Sequence, residues 1–335
     1  MAGHGDEEGG SHGMICRAAL ICIVATTLAG SALGRGLTAA DVNGAEPWSA
    51  EDDSARAVII KAQVLLDRAG YSTGAIDGRA DGNFTNALRA FQQQNGLAES
   101  GVLDSRTWAR LIAISPEPVL RAYVITAEDM RGPFSPQIPE SFEQKAKLKQ
   151  LAYTGPAELL AERFHMDEDL LTELNARRPL DRGTNIVVAN VKRASPKAAV
   201  ARVLVEKRRH SVRALDRGGR LVGYFPASLG GGDKPALRGK FRITRVVRDP
   251  VYIYTPKFRF PGVDARERLK IAPGPNNPVG SVWMNLNERT YGIHGTAEPA
   301  KIGRTPSHGC VRLTNWDAST LAAMVKKGTV VEFID

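Results

Sequence analysis

Tyr291-Gly292-Ile293-His294-Gly295-Thr296, followed by Ser307-His308-Gly309-Cys310-Val311-Arg312, is the stretch on which the reading of this chain turns. It gathers two histidines and a cysteine within a short span of chain. Thiolate, not thiol, is the nucleophilic form of cysteine, so a base beside the sulfur is what thiol catalysis requires. Either imidazole supplies that base once the intervening loop folds back. A metal site is the competing reading, because His and Cys are both ligands. Their spacing fits no usual zinc pattern, so no metal and no cofactor is expected. Gly295 and Gly309 flank the key side chains and permit close backbone approach or unusual backbone angles. Gly309 also leaves room for a carbonyl substrate beside backbone N–H groups that stabilise an oxyanion. Arg312, two residues past the thiol, is placed to favour thiolate or to grip a carboxylate.

Working outward, the N-terminus reads as an address. An uncharged apolar run spans residues 18–34 between Arg17 and Arg35, and Thr38-Ala39-Ala40 offers small residues for cleavage. Residues 1–40 are thus expected to be a signal peptide or a membrane anchor, and the protein to be exported to the periplasm or cell envelope. Met14 is an alternative start. Cys16 and Cys22 fall in this region, which leaves Cys310 as the lone thiol of an exported chain, a pattern that points to intermolecular pairing or a reactive thiol.

The net charge of +9 over 335 residues favours an anionic partner. No aromatic RNA-binding motif, zinc finger or heptad-backed basic helix accompanies it, so nucleic acid is set aside. Length and composition suit two or three domains.

Residues 41–53 are polar and are expected to be a flexible lead-in. Apolar spacing then predicts helices over residues 55–69 and 84–94, and Asp104 is placed as the N-cap of a third. Asp77-Gly78-Arg79-Ala80-Asp81-Gly82 superficially matches a calcium loop, but Arg79 stands where an oxygen ligand belongs. Residues 55–114 form a compact three-helix module. Gly70-Tyr71, Ile76-Asp77-Gly78, Ala90-Phe91-Gln92 and Asn95-Gly96-Leu97 together resemble the peptidoglycan-binding three-helix family, which implies cell-wall docking.

After a Pro-rich linker, residues 119–193 open with a strand near Tyr123. Two apolar helical faces follow around Leu160 and Leu171, then a strand over 185–191. That order resembles a LysM module whose first strand is set unusually far from its helices. His165, in the turn between those helices, is read as locally bonded rather than as a ligand. From Val200 the texture is β-strand, with a hairpin turn at Arg217-Gly218-Gly219-Arg220. Leu229-Gly230-Gly231-Gly232 lacks the lysine of a phosphate loop. Residues 257–275 form a long loop read as a flap over a cleft.

Ile293-His294-Gly295-Thr296 with Ser307-His308-Gly309-Cys310-Val311-Arg312-Leu313, Asp317 and Asn277-Pro278-Val279-Gly280 resembles the L,D-transpeptidase (YkuD-type) catalytic family over residues 199–335. The resemblance implies a mainly β, sandwich-like catalytic domain in a multidomain α+β chain. It implies cysteine-dependent acyl transfer between peptidoglycan stem peptides, with a tetrapeptide donor and a stem-peptide acceptor. Cys310 is then the nucleophile and His294 the favoured base, with His308 as the alternative. Ser307, His308, Gly309, Gly295 and Arg312 shape the site or bind substrate. Carboxypeptidase or endopeptidase action on peptidoglycan, and non-catalytic wall binding, are the alternatives.

Overall fold

The computed structural model describes residues 36–47, 52–191, 199–231, 236–257, 263, 265–307 and 309–335. Of the expected leader or anchor at 1–40, residues 1–35 lie outside the described residues, as does His308, while Ala39 and Ala40 of the expected cleavage site begin a helix. No helix among the described residues is long and apolar enough to cross a membrane.

The chain opens with α1 (Ala39–Gly44), α2 (Asp52–Arg68), α3 (Gly82–Gln94) and α4 (Ser105–Ile114). The last three are the predicted helices, and Asp104 caps α4 by accepting from the Thr107 N–H. α1 corrects the expectation of a flexible lead-in. Its six residues form a helix because Thr38 and Asp41 close a capping box and tertiary partners hold it. Val42 is fully buried, and the Asn43 amide bonds both the N–H and the carbonyl of Leu120.

β1 (Leu120–Val124), α5 (Phe142–Lys145), α6 (Pro156–Arg163), α7 (Glu168–Leu174) and β2 (Asn185–Ala189) follow. β1 and β2 pair antiparallel from Leu120↔Ala189 to Val124↔Asn185. Residues 125–155, the extra chain between the first strand and the helices, carry α5 away from this unit onto the β-rich domain that follows. The Leu151 N–H donates to the Pro273 carbonyl, and the Asn276 N–H donates to the Leu151 carbonyl.

The remaining strands are β3 (Arg202–Glu206), β4 (Ser211–Leu215), β5 (Leu221–Pro226), β6 (Gly239–Arg248), β7 (Tyr252–Tyr254), β8 (Leu269–Ile271), β9 (Val282–Leu286), β10 (Gly292–His294), β11 (Val311–Arg312) and β12 (Val330–Ile334), with α8 (Asn315–Met324) before β12. Eight of them join in the order β11-β10-β9-β6-β12-β3-β4-β5. The expected mainly β, sandwich-like domain is built from this one eight-stranded sheet. The ten-residue β6 pairs with β12 through its first half and with β9 through its second, with a register shift between Ile243 and Arg245. A bulge at that point bends the strand and lets one ladder enclose a core. That core contains Val203, Phe225, Ile243, Met284, Ile293 and Leu321.

A second core runs through the helical module and the β1–β2 unit, from Leu66 and Phe91 to Leu160 and Ile186, and ends on Tyr224 of β5. Residues 36–335 thus pack as one compact body.

Candidate functional site

β10 delivers His294 beside Trp283 of β9, its Cα partner. The indole stacks on the imidazole at 5.3 Å between ring centroids, and only 6% of His294 is exposed. Its Nδ1 lies 2.7 Å from the Gly295 carbonyl oxygen. A carbonyl only accepts, so Nδ1 carries the proton and Nε2 is left as the lone-pair nitrogen. Burial, with the neighbouring Arg312 guanidinium adding to it, pushes His294 down to about 3. The imidazole is therefore neutral at physiological pH, the form that accepts a proton.

β11 pairs parallel with β10, which puts Arg312 opposite His294. Two backbone hydrogen bonds between Ser228 and Arg312, each 2.9 Å, fix the outer edge of β11. Burial lowers the Arg312 pKa. It remains a cation, since an arginine starts too high to lose its charge. Among the described residues no ion pair engages its guanidinium, and it lines a cavity of about 710 Å³ together with His294, Cys310 and Ser307. A half-buried cation facing a cavity is suited to binding a carboxylate.

Cys310 is partly exposed in that cavity, and its thiol lies 3.5 Å from the Thr290 carbonyl oxygen. Thr290 holds φ +67°, strained for a β-branched residue. That strain sits in the turn that aims a carbonyl at the sulfur. Gly309, at φ +102°, is where the chain needs a residue without a side chain. Ser307 is buried, and its hydroxyl donates to the Cys310 carbonyl, so it shapes the turn from within.

Gly295 and Gly280 have a specific reason to lack side chains. A Cβ on either lands 2.2 Å or 2.1 Å from Asn315 Oδ1. That oxygen accepts from the Ser281 N–H at 3.0 Å and the Thr296 N–H at 3.1 Å. Asn315, which sequence reasoning passed over, is thus the hub of the loop after His294. The structure brings Cys310, His294, Ser307, Gly309, Gly295 and Arg312 together.

Tyr252 and Ile253 of β7 and Val263 of the long loop also line the cavity. β7 and β8 form a hairpin, the stem of the expected flap; residues 258–262 and 264 lie outside the described residues. Phe142 of α5 also lines the cavity and packs edge-on against Tyr252 and Tyr254. No cluster of three or more metal-ligating side chains occurs among the described residues.

The loop between the two motif halves is anchored by the helical module. Arg304 donates to Asp77 at 2.6 Å and Asp81 at 2.8 Å, and Asn83 donates to the Ile302 carbonyl at 2.8 Å. The charged loop rejected as a calcium site is therefore a socket for an arginine.

Residues 201–333 match the family model described as the L,D-transpeptidase catalytic domain, and residues 56–111 match that of a peptidoglycan binding domain. A Bacillus licheniformis protein named as the L,D-transpeptidase YkuD is 29% identical over 149 residues, 44% of this chain and 73% of that protein. Its Bacillus subtilis namesake is 47% identical over 57 residues, 17% of this chain and 35% of the relative. A protein named as the L,D-transpeptidase YbiS of Escherichia coli is 36% identical over 123 residues, 36% of this chain and 40% of its own length. This chain thus spans less than half of the latter two. Among solved structures, an L,D-transpeptidase from Xylanimonas cellulosilytica is 16% identical, with 82% of this chain and 92% of that one covered at a TM-score of 0.36.

Proposed function

We propose that this chain is an L,D-transpeptidase that cross-links peptidoglycan stem peptides through a thioester on Cys310, a reading supported by the match of residues 201–333 to the L,D-transpeptidase catalytic domain and of residues 56–111 to a peptidoglycan binding domain. The observation that carries this reading is a neutral His294 with Nδ1–H committed to the Gly295 carbonyl, sharing one cavity with the Cys310 thiol.

In the proposed first step the thiol proton passes to His294 Nε2, and the sulfur attacks the carbonyl of the third residue of a donor tetrapeptide. The carbon–nitrogen bond to the terminal D-alanine breaks, and His294 returns the proton to the departing amine. In the second step a side-chain amine of a neighbouring stem peptide attacks the thioester. The amine loses its proton, the carbon–sulfur bond breaks, and the free thiol is restored. Arg312 binds a carboxylate of the donor, and Ser307 and Gly309 hold the turn that presents the sulfur. The family pattern favours His294 over His308 as base, and His294's committed tautomer supports that choice. Water as acceptor makes the same site an L,D-carboxypeptidase.

The peptidoglycan binding domain supports the wall as the place of action, and with it export to the periplasm or cell envelope. With α5 set apart in a long insertion, the β1–α6–α7–β2 order, with β1 paired to β2, supports reading residues 119–193 as a LysM-like unit.

Incubation with a carbapenem, whose β-lactam carbonyl is an acyl donor, tests the assignment. The intact mass of the native protein rises by one adduct, and Cys310→Ala shows none. An adduct persisting on Cys310→Ala would remove Cys310 from its role.

A further inference from the structure

The support for His294 begins outside the catalytic domain. Asn315 Oδ1 is occupied by the Ser281 and Thr296 N–H groups, so its Nδ2 must find acceptors elsewhere. It donates to Glu162 Oε1 at 3.0 Å and Oε2 at 3.1 Å, and to the Pro275 carbonyl at 3.2 Å. Glu162 lies on α6, in the unit over residues 119–193, and is 6% exposed. The Tyr153 hydroxyl donates to it at 3.3 Å, and among the described residues no cation pairs with it. Burial, with Glu158 nearby, pushes Glu162 up to about 8, so it sits there as a neutral acid. An apolar side chain fills a helix contact more cheaply than a buried carboxyl without a cation beside it, which points to a task beyond packing.

We propose that Glu162 is a positioning residue for the reaction. Through Asn315 it fixes the Gly295–Thr296 backbone, and through the Gly295 carbonyl it fixes the orientation and tautomer of His294. The proposal rests on the reading of His294 as base. It gives the middle unit a direct part in catalysis, whatever it binds.

The test uses the full chain carrying Glu162→Gln, which keeps an acceptor for Asn315, and Glu162→Met, which keeps bulk without one. Glu162→Leu replaces the methionine variant should that side chain fail to pack. Thermal melts first establish that the variants fold. In Glu162→Met the limiting rate of acylation by a carbapenem falls about tenfold or more, the scale of one lost hydrogen bond, while the half-saturating concentration is unchanged. Glu162→Gln restores the rate to within about twofold of native. The His294 ring nitrogens, read by NMR, keep a single Nδ1–H tautomer in the native protein and Glu162→Gln and lose it in Glu162→Met. A folded Glu162→Met that acylates at the native rate overturns the proposal, as does a Glu162→Gln as slow as Glu162→Met. Cys310→Ala run alongside separates the two ideas: an adduct there sinks the nucleophile assignment, whereas a fast Glu162→Met with a blank Cys310→Ala sinks only the role of Glu162.

Discussion

His294 and Glu162 carry opposite linkages between protonation and folding, because burial favours the neutral form of each. The His294 pKa drops from 6.5 to about 3 on folding. The unfolded chain therefore binds a proton that the folded chain refuses, and stability is lost as pH falls from 6.5 towards 3. The Glu162 pKa rises from 4.5 to about 8. Here the folded chain holds the extra proton, so stability falls as pH rises from 4.5 to 8 and is level beyond. Each contribution is at most about 5 kcal/mol. Glu162→Gln removes only the second one, so its gain in stability over the native chain is near zero at pH 4.5 and largest at pH 8. Urea unfolding across that range reads the difference. A gain independent of pH would contradict the buried-acid description. Neither value was legible in the sequence. His294 is flagged by its motif, but Glu162 and Asn315 lie 153 positions apart, and only the tertiary fold makes them neighbours.

At the scale of elements, the turn after β10 is the tightest joint in the site. Gly295→Ala drives a methyl group into Asn315 Oδ1. Moving Asn315 strips the Thr296 and Ser281 N–H groups of their acceptor. Overpacking and two orphaned donors together cost about 2–5 kcal/mol. The urea midpoint of Gly295→Ala is expected to fall accordingly, with acylation slowed; a native midpoint would contradict the close approach. The sequence marked Gly295 and Gly309 as places for unusual backbone, and each proved to have its own cause: the crowding of Asn315 in one, φ +102° in the other. α2, α3 and α4 were readable because their apolar spacing and caps are local. α1 was not, because its stability is borrowed from Leu120, a contact 77 positions away. The distance between the first strand of the middle unit and its helices was visible from the start. Its reason was not: residues 125–155 bring Phe142 to the wall of the catalytic cavity.

Across the whole molecule, the first turn of α8 is a junction of three regions. Asn315 meets Glu162, Trp316 stacks on His165 at 5.3 Å, and the Ser72 hydroxyl donates to Asp317 at 2.7 Å. His165, expected to be locally bonded, instead meets Asp67, 98 positions away, through Nδ1 at 3.1 Å, and its stacking partner lies in the β-rich domain. With Arg304 seated between Asp77 and Asp81, the helical module holds the loop that leads to Cys310. One core also runs from that module to Tyr224. Residues 36–335 are expected to unfold in a single calorimetric transition whose van't Hoff and calorimetric enthalpies agree. Two resolved transitions would show that the helical module and the β-rich domain fold independently.

The central claim is that Cys310 forms a thioester with a stem-peptide donor, and trapping that species tests it most directly. Purified protein is mixed with a defined tetrapeptide stem, quenched in acid, digested and mapped by mass spectrometry. The predicted result is one acyl group on the peptide containing Cys310, released by hydroxylamine, with one D-alanine freed per acyl group. An acyl group on any other residue, or acylation without release of D-alanine, would contradict it.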